Sequence, residues 1–220
     1  MSSSLKTQKP KEKVWVGLSG GVDSATSASI LKEEGYEVFG AFIKVWQPDF
    51  LDCTQTQDRQ DALKVAAFLN IPFQTVDLSE MYKRKVVDYM IAEYARGRTP
   101  NPDIFCNQLV KFGAFLSYAL ERGAEKVATG HYAQNIFNPE TNLFELHAGI
   151  DAQKDQSYFL WTLGQYELSH TLFPIGHLEK SQVRVRAQAL KLPNAQKKDS
   201  QGLCFIGHIN LKEFLSHFVH

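Results

Sequence analysis

Short β-forming runs alternate with longer stretches of helical spacing from Lys13 to Thr129, and no other feature of the chain narrows its fold as much. Lys13 to Leu18 reads as a strand, and Val22 to Glu34 then sets Ala25, Ala28, Ile30 and Leu31 on one helical face before Gly35 ends it. The same reading predicts a strand over Tyr36 to Ile43, a helix over Asp58 to Leu69, a strand over Phe73 to Val76 and a helix over Met81 to Tyr94. After a proline-broken TPNPD (Thr99 to Asp103), helical spacing resumes from Cys106 to Glu121, and Lys126 to Thr129 is a short strand. Strands interleaved with helices of this length predict an α/β fold: a doubly wound, mostly parallel sheet with helices on both faces.

The pattern changes after Tyr132. Ala133 to Phe137, the turn NPETN and Leu143 to His147 predict a hairpin that adds a small antiparallel element to the sheet. A helical stretch is expected from Asp155 to Leu190, then a loop leading into a strand over Lys197 to Gly207, then a last helix over Asn210 to Phe218.

Composition sets the outer limits. With 220 residues, 44% hydrophobic and 22% charged, the chain can bury a sizeable core as one large domain or slightly more. Lys+Arg and Asp+Glu both number 24, so nucleic-acid binding would have to come from local patches such as Lys83 to Lys85, Arg96 with Arg98, Arg184 with Arg186, or Lys197 with Lys198. Each, seen alone, reads more readily as a solvated helix face or loop. No apolar run approaches the ~18 residues of a membrane span, and residues 1–12 lack the apolar stretch of a secretory signal. They read as a disordered arm, and cytoplasm is the expected compartment. Three cysteines, Cys53, Cys106 and Cys204, contain no C-x-x-C pair, which disfavours both a disulfide framework and a cysteine zinc site.

The chemistry begins at the first strand-to-helix turn, SGGVDS (Ser19 to Ser24). In a doubly wound sheet such a turn points backbone N–H groups at a ligand from the positive end of a helix. Gly20 and Gly21 would let the main chain curl around an anion, Ser19 and Ser24 would add hydroxyls, and Asp23 would cap the helix or face a phosphate-bound Mg²⁺. A Walker loop would read GxxxxGK[ST] and reach the outer phosphates with its lysine. Here that lysine is missing.

The loop resembles the pyrophosphate-binding loop of the N-type ATP pyrophosphatases, which split ATP between the α- and β-phosphates. Four further stretches sharpen the resemblance: GRTPNPDIFCNQLVKFG (Gly97 to Gly113), TGHYA (Thr129 to Ala133), KDQSYFL (Lys154 to Leu160) and KKDSQGLCFIG (Lys197 to Gly207). Together they are similar to the tRNA-specific 2-thiouridylases of the MnmA kind. The resemblance implies ATP-dependent adenylation of the wobble-uridine C2 oxygen and sulfur transfer from a cysteine persulfide, with tRNA as substrate and a sulfur-carrier protein or cysteine desulfurase as donor.

Residue by residue, the resemblance implies that Gly17, Leu18, Ser19, Gly20, Gly21, Val22, Asp23, Ser24, Ile43 and Gly130 bind ATP. Ile43 stands where the family usually has methionine. Asn101, Pro102 and Asp103 would meet the target base, and Lys154, Asp155 and Gln156 would contact the tRNA. Cys204 would carry the persulfide, Cys106 would be its partner, with a Cys106–Cys204 disulfide as one product, and Asp103 would exchange a proton with the uracil. Cys106 at a helix start and Lys197 with Lys198 before Cys204 would favour thiolates. Structural alternatives stay open: Asp103 as a helix cap, His131 as a packing residue, residues 154–156 as a helix start, Cys53 as an inert thiol. The resemblance also implies a catalytic domain over 13–205 and the opening of a further β-rich domain over 206–220. An amidating synthetase with the same nucleotide chemistry, or a nucleotide-binding module without catalysis, is the competing reading.

Overall fold

The computed structural model describes residues 11–50, 55–199 and 211–218. The arm, Cys53, Cys204, the expected strand beyond Lys197 and the first residues of the further domain lie wholly or mostly outside them. Strand β1 (Lys13–Gly17) leads through the glycine turn into helix α1 (Val22–Glu33), followed by β2 (Glu37–Lys44), α2 (Gln55–Phe68) and β3 (Phe73–Asp77). Next comes a helical run of α3 (Ser79–Tyr82), a π-helical segment Lys83–Val87 and α4 (Asp88–Ala95). A second run joins α5 (Pro102–Phe105), a π-helical segment Cys106–Phe115 and α6 (Leu116–Leu120). Strand β4 (Lys126–Ala128) precedes the hairpin β5 (Ala133–Asn138) and β6 (Leu143–Ala148). The remainder is a 3₁₀ turn Ser157–Leu160, α7 (Gln165–Ser169), β7 (Thr171–Leu172), α8 (Lys180–Ala189) and α9 (Leu211–Ser216).

The main sheet runs β3-β2-β1-β4-β7 and every pairing in it is parallel. Alternation along β1 builds a core on each face: Val14 and Val16 pack with α1, α2 and α8, while Trp15 faces the side covered by the helical runs after β3 and before β4. Helix α1 is buried nearly all round despite its serines and threonine, because their hydroxyls return to its own backbone. Thr26 donates to the Val22 carbonyl, Ser27 to that of Asp23 and Ser29 to that of Thr26, each at 2.9 Å.

Two expectations change. Among the described residues the hairpin pairs only with itself, as a separate two-stranded sheet, rather than extending the main one. The stretch expected to be helical from Asp155 to Leu190 is broken, and inside it lies the fifth strand, β7, paired with β4 through Val127 to Thr171 and Ala128 to Leu172. Two residues cannot show a period; burial of Thr171 beside β4, not local preference, makes them a strand.

Candidate functional site

The strand order reverses direction between β1 and β4, so the crevice for a ligand opens where those two strands end. β1 ends at Gly17 and β4 at Ala128, which places the turn 18–21 beside Thr129 and Gly130. Leu18 is buried and its N–H donates to the Ala41 carbonyl at 2.7 Å, fixing the exit of β1. Within the turn the Ser24 hydroxyl accepts from the Ser19 N–H and donates to the Gly21 carbonyl, both at 3.2 Å, and it lies 3.2 Å from the Ser19 hydroxyl. The two serines therefore hold the loop's shape.

Glycine is required at two places here. Gly20 has φ +77°, and a Cβ on it would lie 2.4 Å from the Asp58 carbonyl oxygen of α2. A Cβ on Gly130 would come within 2.7 Å of the Ser24 nitrogen and 2.8 Å of the Asp23 carbonyl carbon. Gly17 is less confined, with Ile43 Cδ1 at 3.9 Å from such a Cβ, so Ile43 at the end of β2 forms the apolar flank of the same crevice. The buried Asn194 Nδ2 donates to the Gly20 carbonyl at 2.9 Å and supports the loop from behind. Val22 anchors the start of α1 in the core.

Asp23 is held from two sides. Tyr132 donates its hydroxyl to Oδ1 at 2.8 Å, and Lys180 Nζ stands 2.7 Å from Oδ1 and 2.9 Å from Oδ2. Burial and then the Asp23 carboxylate push the Tyr132 phenol far above its ordinary value, so it remains a donor. Lys180 also reaches Asp199 at 2.9 Å, and Asp199 is further held by Arg184 and by Lys154 at 3.2 Å. Burial acts to raise the Asp199 carboxyl, but Lys180, Lys154 and Arg184 outweigh it and hold it down at about 2.

The helical run that carries Cys106 touches this crevice. Asn101 accepts the Asp103 N–H at 3.1 Å and Pro102 opens the helix, so Asn101 takes the capping role that the sequence leaves open as an alternative for Asp103. Cys106 consequently stands one turn inside the helix rather than at its start, and it is buried. Further along, Lys111 Nζ is 3.4 Å from His131 Nε2, and the Phe115 ring edge is 3.9 Å from a Cβ built on Gly17. The buried His131 also contacts the Thr129 hydroxyl through Nδ1 at 2.7 Å. With an ammonium facing Nε2, that nitrogen is the acceptor and Nδ1–H the donor.

The segment after the hairpin is tied to the same run. Asn107, beside Cys106, donates to the Phe159 carbonyl at 3.0 Å. Gln156 exchanges bonds with Tyr132, its N–H reaching the Tyr132 carbonyl at 2.9 Å and its Oε1 accepting the Tyr132 N–H at 3.1 Å. Asp155 accepts the Gly149 N–H at 2.9 Å and the Ser157 N–H at 3.1 Å, which, against the opposing effect of burial, hold its carboxyl below the ordinary range. Asp155 and Gln156 thus have clear structural work, and Lys154 reaches toward Asp199.

Lys197 does not stand as a free charge before Cys204. Its ammonium pairs with Asp58 and Asp61 of α2, each at 2.8 Å. Lys180 and Asn194 belong to the site although no local motif marks them, and Tyr132 and Asp199 lie within the TGHYA and KKDSQGLCFIG stretches without being singled out there; Lys180 lies 157 positions from Asp23.

A turn of backbone amides and hydroxyls at the switch point of a parallel sheet, where folds of this class receive their ligands, defines a doubly wound α/β domain. The sequence profile described as the tRNA methyl transferase HUP domain matches residues 12–208, and the chain belongs to that family. It is 55% identical over 210 residues to the tRNA-specific 2-thiouridylase MnmA of Christiangramia forsetii, an alignment covering 93% of this chain and 53% of that protein. The corresponding protein of Streptococcus equi subsp. zooepidemicus is 49% identical over 217 residues, 98% of this chain and 58% of its own length. The chain therefore spans little more than half the length of these relatives. Among solved structures, a 4-thiouridine synthetase–RNA complex with bound ATP superposes with a TM-score of 0.57 at 16% identity, over 94% of this chain and 50% of that one, which is a likeness of fold.

Proposed function

We propose that this chain is the adenylating and sulfur-transferring part of a tRNA-uridine 2-sulfurtransferase. The observation that carries the reading is the joining of three segments at one crevice: the SGGVDS loop, Gly130 packed against it, and the Cys106 helix reaching the same place through Lys111 and Phe115. The curated relatives' shared name supplies the substrate class, tRNA.

In this reading ATP lies with its adenosine along Gly17, Leu18, Ile43 and Gly130 and its phosphates against Ser19 to Ser24. The uridine C2 oxygen attacks the α-phosphorus, pyrophosphate leaves, and C2 becomes activated by bound AMP. The terminal sulfur of a Cys204 persulfide attacks C2 and AMP departs. The Cys106 thiolate then attacks the inner sulfur, so that its electron pair forms a Cys106–Cys204 disulfide and the S–S bond to the transferred sulfur breaks, leaving 2-thiouridine. In the alternative order Cys106 first frees sulfide, which attacks C2. Asn101, Pro102 and Asp103 face the base, with Asp103 exchanging the uracil proton, and Lys154, Asp155 and Gln156 lie on the tRNA side.

Mg²⁺ belongs to the same proposal. Among the described residues no group of three or more His, Cys, Asp or Glu side chains is placed to hold a metal, so the ion would come on the phosphates, with Asp23 as the carboxylate facing it. It would neutralise charge on the leaving pyrophosphate. No helix among the described residues is long and apolar enough to cross a membrane, and cytoplasm is the proposed compartment. A carrier protein or desulfurase as sulfur donor, and a catalytic domain over 13–205, complete the reading.

The test is ATP-dependent transfer of labelled sulfur to tRNA by the protein with its full relatives' length, with AMP and pyrophosphate as products. ADP and phosphate as products, or unchanged transfer by Cys204→Ser, would overturn it.

A further inference from the structure

Beyond α8 the chain passes behind the glycine turn and grips it twice. Residues 194–197 form a tight turn of their own, closed by the Lys197 N–H donating to the Asn194 carbonyl at 2.9 Å. Its first residue reaches the glycine turn directly, the Asn194 Nδ2 donating to the Gly20 carbonyl at 2.9 Å. Its last residue reaches it through α2. Lys197 Nζ lies 2.8 Å from both Asp58 and Asp61, and the Asp58 carbonyl oxygen packs so closely on Gly20 that a Cβ there would collide with it. One short turn thus holds Gly20 by its carbonyl and, across α2, by its α-carbon.

The Asn194 contact is costly to build. The residue is buried, and its Oδ1 has no partner among the described residues, a cost that an apolar side chain of similar size avoids. Its amide nevertheless sets the direction of a donor. A trans peptide is planar and points its C=O and N–H opposite ways, so with the Gly20 carbonyl drawn toward Asn194 the Gly21 N–H faces away from it. That N–H makes a long bond, 3.4 Å, to the Ser19 hydroxyl, and a phosphate on the turn would meet it. An anion there polarises the same peptide and strengthens its carbonyl as an acceptor for Asn194. Occupancy of the glycine turn is therefore felt at Asn194. From Asn194 the chain runs ten positions to Cys204, held on the way by Lys197 to α2 and by Asp199 to Arg184 and Lys154.

We propose that Asn194 and Lys197 are positioning residues that couple the glycine turn to Cys204, so that the thiol's presentation depends on whether the turn holds a nucleotide. The proposal rests on the reading of Ser19 to Ser24 as an ATP site. Its consequence is timing: the two halves of the reaction, activation by ATP and delivery of sulfur, share one hydrogen-bonded segment.

The experiment follows alkylation of Cys204 by iodoacetamide in the 220-residue chain carrying Cys53→Ser and Cys106→Ser, with and without saturating ATP, while calorimetry records ATP affinity. ATP should change the alkylation rate by about fivefold or more. Two variants break the coupling by different routes. Asn194→Leu keeps the volume and removes the donor; Lys197→Gln with Asp58→Asn and Asp61→Asn removes the ion pairs without leaving a carboxylate facing a lost ammonium. In each, ATP should still bind, and the rate should change by less than about twofold. An ATP effect that persists in both variants would show that the nucleotide merely shields the thiol, and loss of ATP binding in both would show that these residues only build the site. Either result overturns the proposal, as does a rate that ATP leaves unchanged in the chain with Asn194 and Lys197 intact. If that chain binds no ATP, it is the ATP-site reading that fails.

Discussion

His131 shows how far a single residue's surroundings decide its chemistry. Burial first, and the Lys111 ammonium second, push its imidazole well below the ordinary value of 6.5. The ring is therefore neutral at neutral pH and holds Thr129, at the edge of the loop, through Nδ1. The unfolded chain takes up a proton near 6.5 that the folded chain refuses, so this contribution to stability is present above that pH and is lost as pH falls below it toward the folded value. Denaturant unfolding at about pH 7.5 and about pH 5.5 should show a smaller pH-dependent loss for His131→Asn than for the unaltered chain. Equal losses would mean that the ring is not held neutral. For the thiols, Cys106→Ser should abolish sulfur transfer while Cys53→Ser leaves it nearly unchanged. A Cys53→Ser protein without activity would remove the distinction drawn between them. The loop residues Ser19 to Ser24 and the Cys106 segment were legible in the sequence because each motif is local. Lys180 and Asn194 were not, because only tertiary packing brings a lysine from α8 and an asparagine after α8 to the same loop; Tyr132 sits in the TGHYA stretch, but its bond to Asp23 is likewise made only by packing.

At the level of elements, the alternation of strands and helices predicted the parallel sheet well where strands run five to eight residues, as in β1 and β2. It failed at β7, whose two residues carry no period, and it placed the Cys106 helix one turn late by overlooking Asn-Pro as a cap and first turn. The meeting of α1 with the end of β4 could not be read from either element alone, yet it shapes the crevice. Gly130→Ala tests it: the added methyl would press on the Ser24 nitrogen and the Asp23 backbone, so ATP affinity should fall by about tenfold or more with the fold retained. Gly123→Ala is the control. Gly123 also has positive φ, +77°, but nothing lies within 4 Å of its would-be Cβ. That change should cost roughly 1–2 kcal/mol of stability through backbone strain and leave ATP affinity intact. Equal affinities for the two variants would show that α1 and the β4 end do not form one nucleotide site.

Across the whole molecule, charge decides what the chain can grip. Lys+Arg and Asp+Glu balance at 24 each, and several of the basic clusters visible in the sequence are already paired with acids of the same chain. Arg96 and Arg98 pair with Glu93, Arg184 with Asp199, Arg186 with Glu33, and Lys197 with Asp58 and Asp61. A basic residue already paired releases little counterion free energy on meeting a phosphate, because it must first give up its carboxylate. Each phosphate neutralised contributes about 0.9 to the salt slope on a duplex, so few available cations mean a shallow slope and weak binding. The chain spans 53–58% of the two relatives compared, leaving room in them for contacts absent from these 220 residues. We therefore expect this chain to bind tRNA more weakly, and with a shallower salt dependence, than a relative of full length. Titrating one labelled tRNA with both proteins at two salt concentrations decides the matter: equal affinities and equal slopes would place the whole tRNA grip within the domain described here.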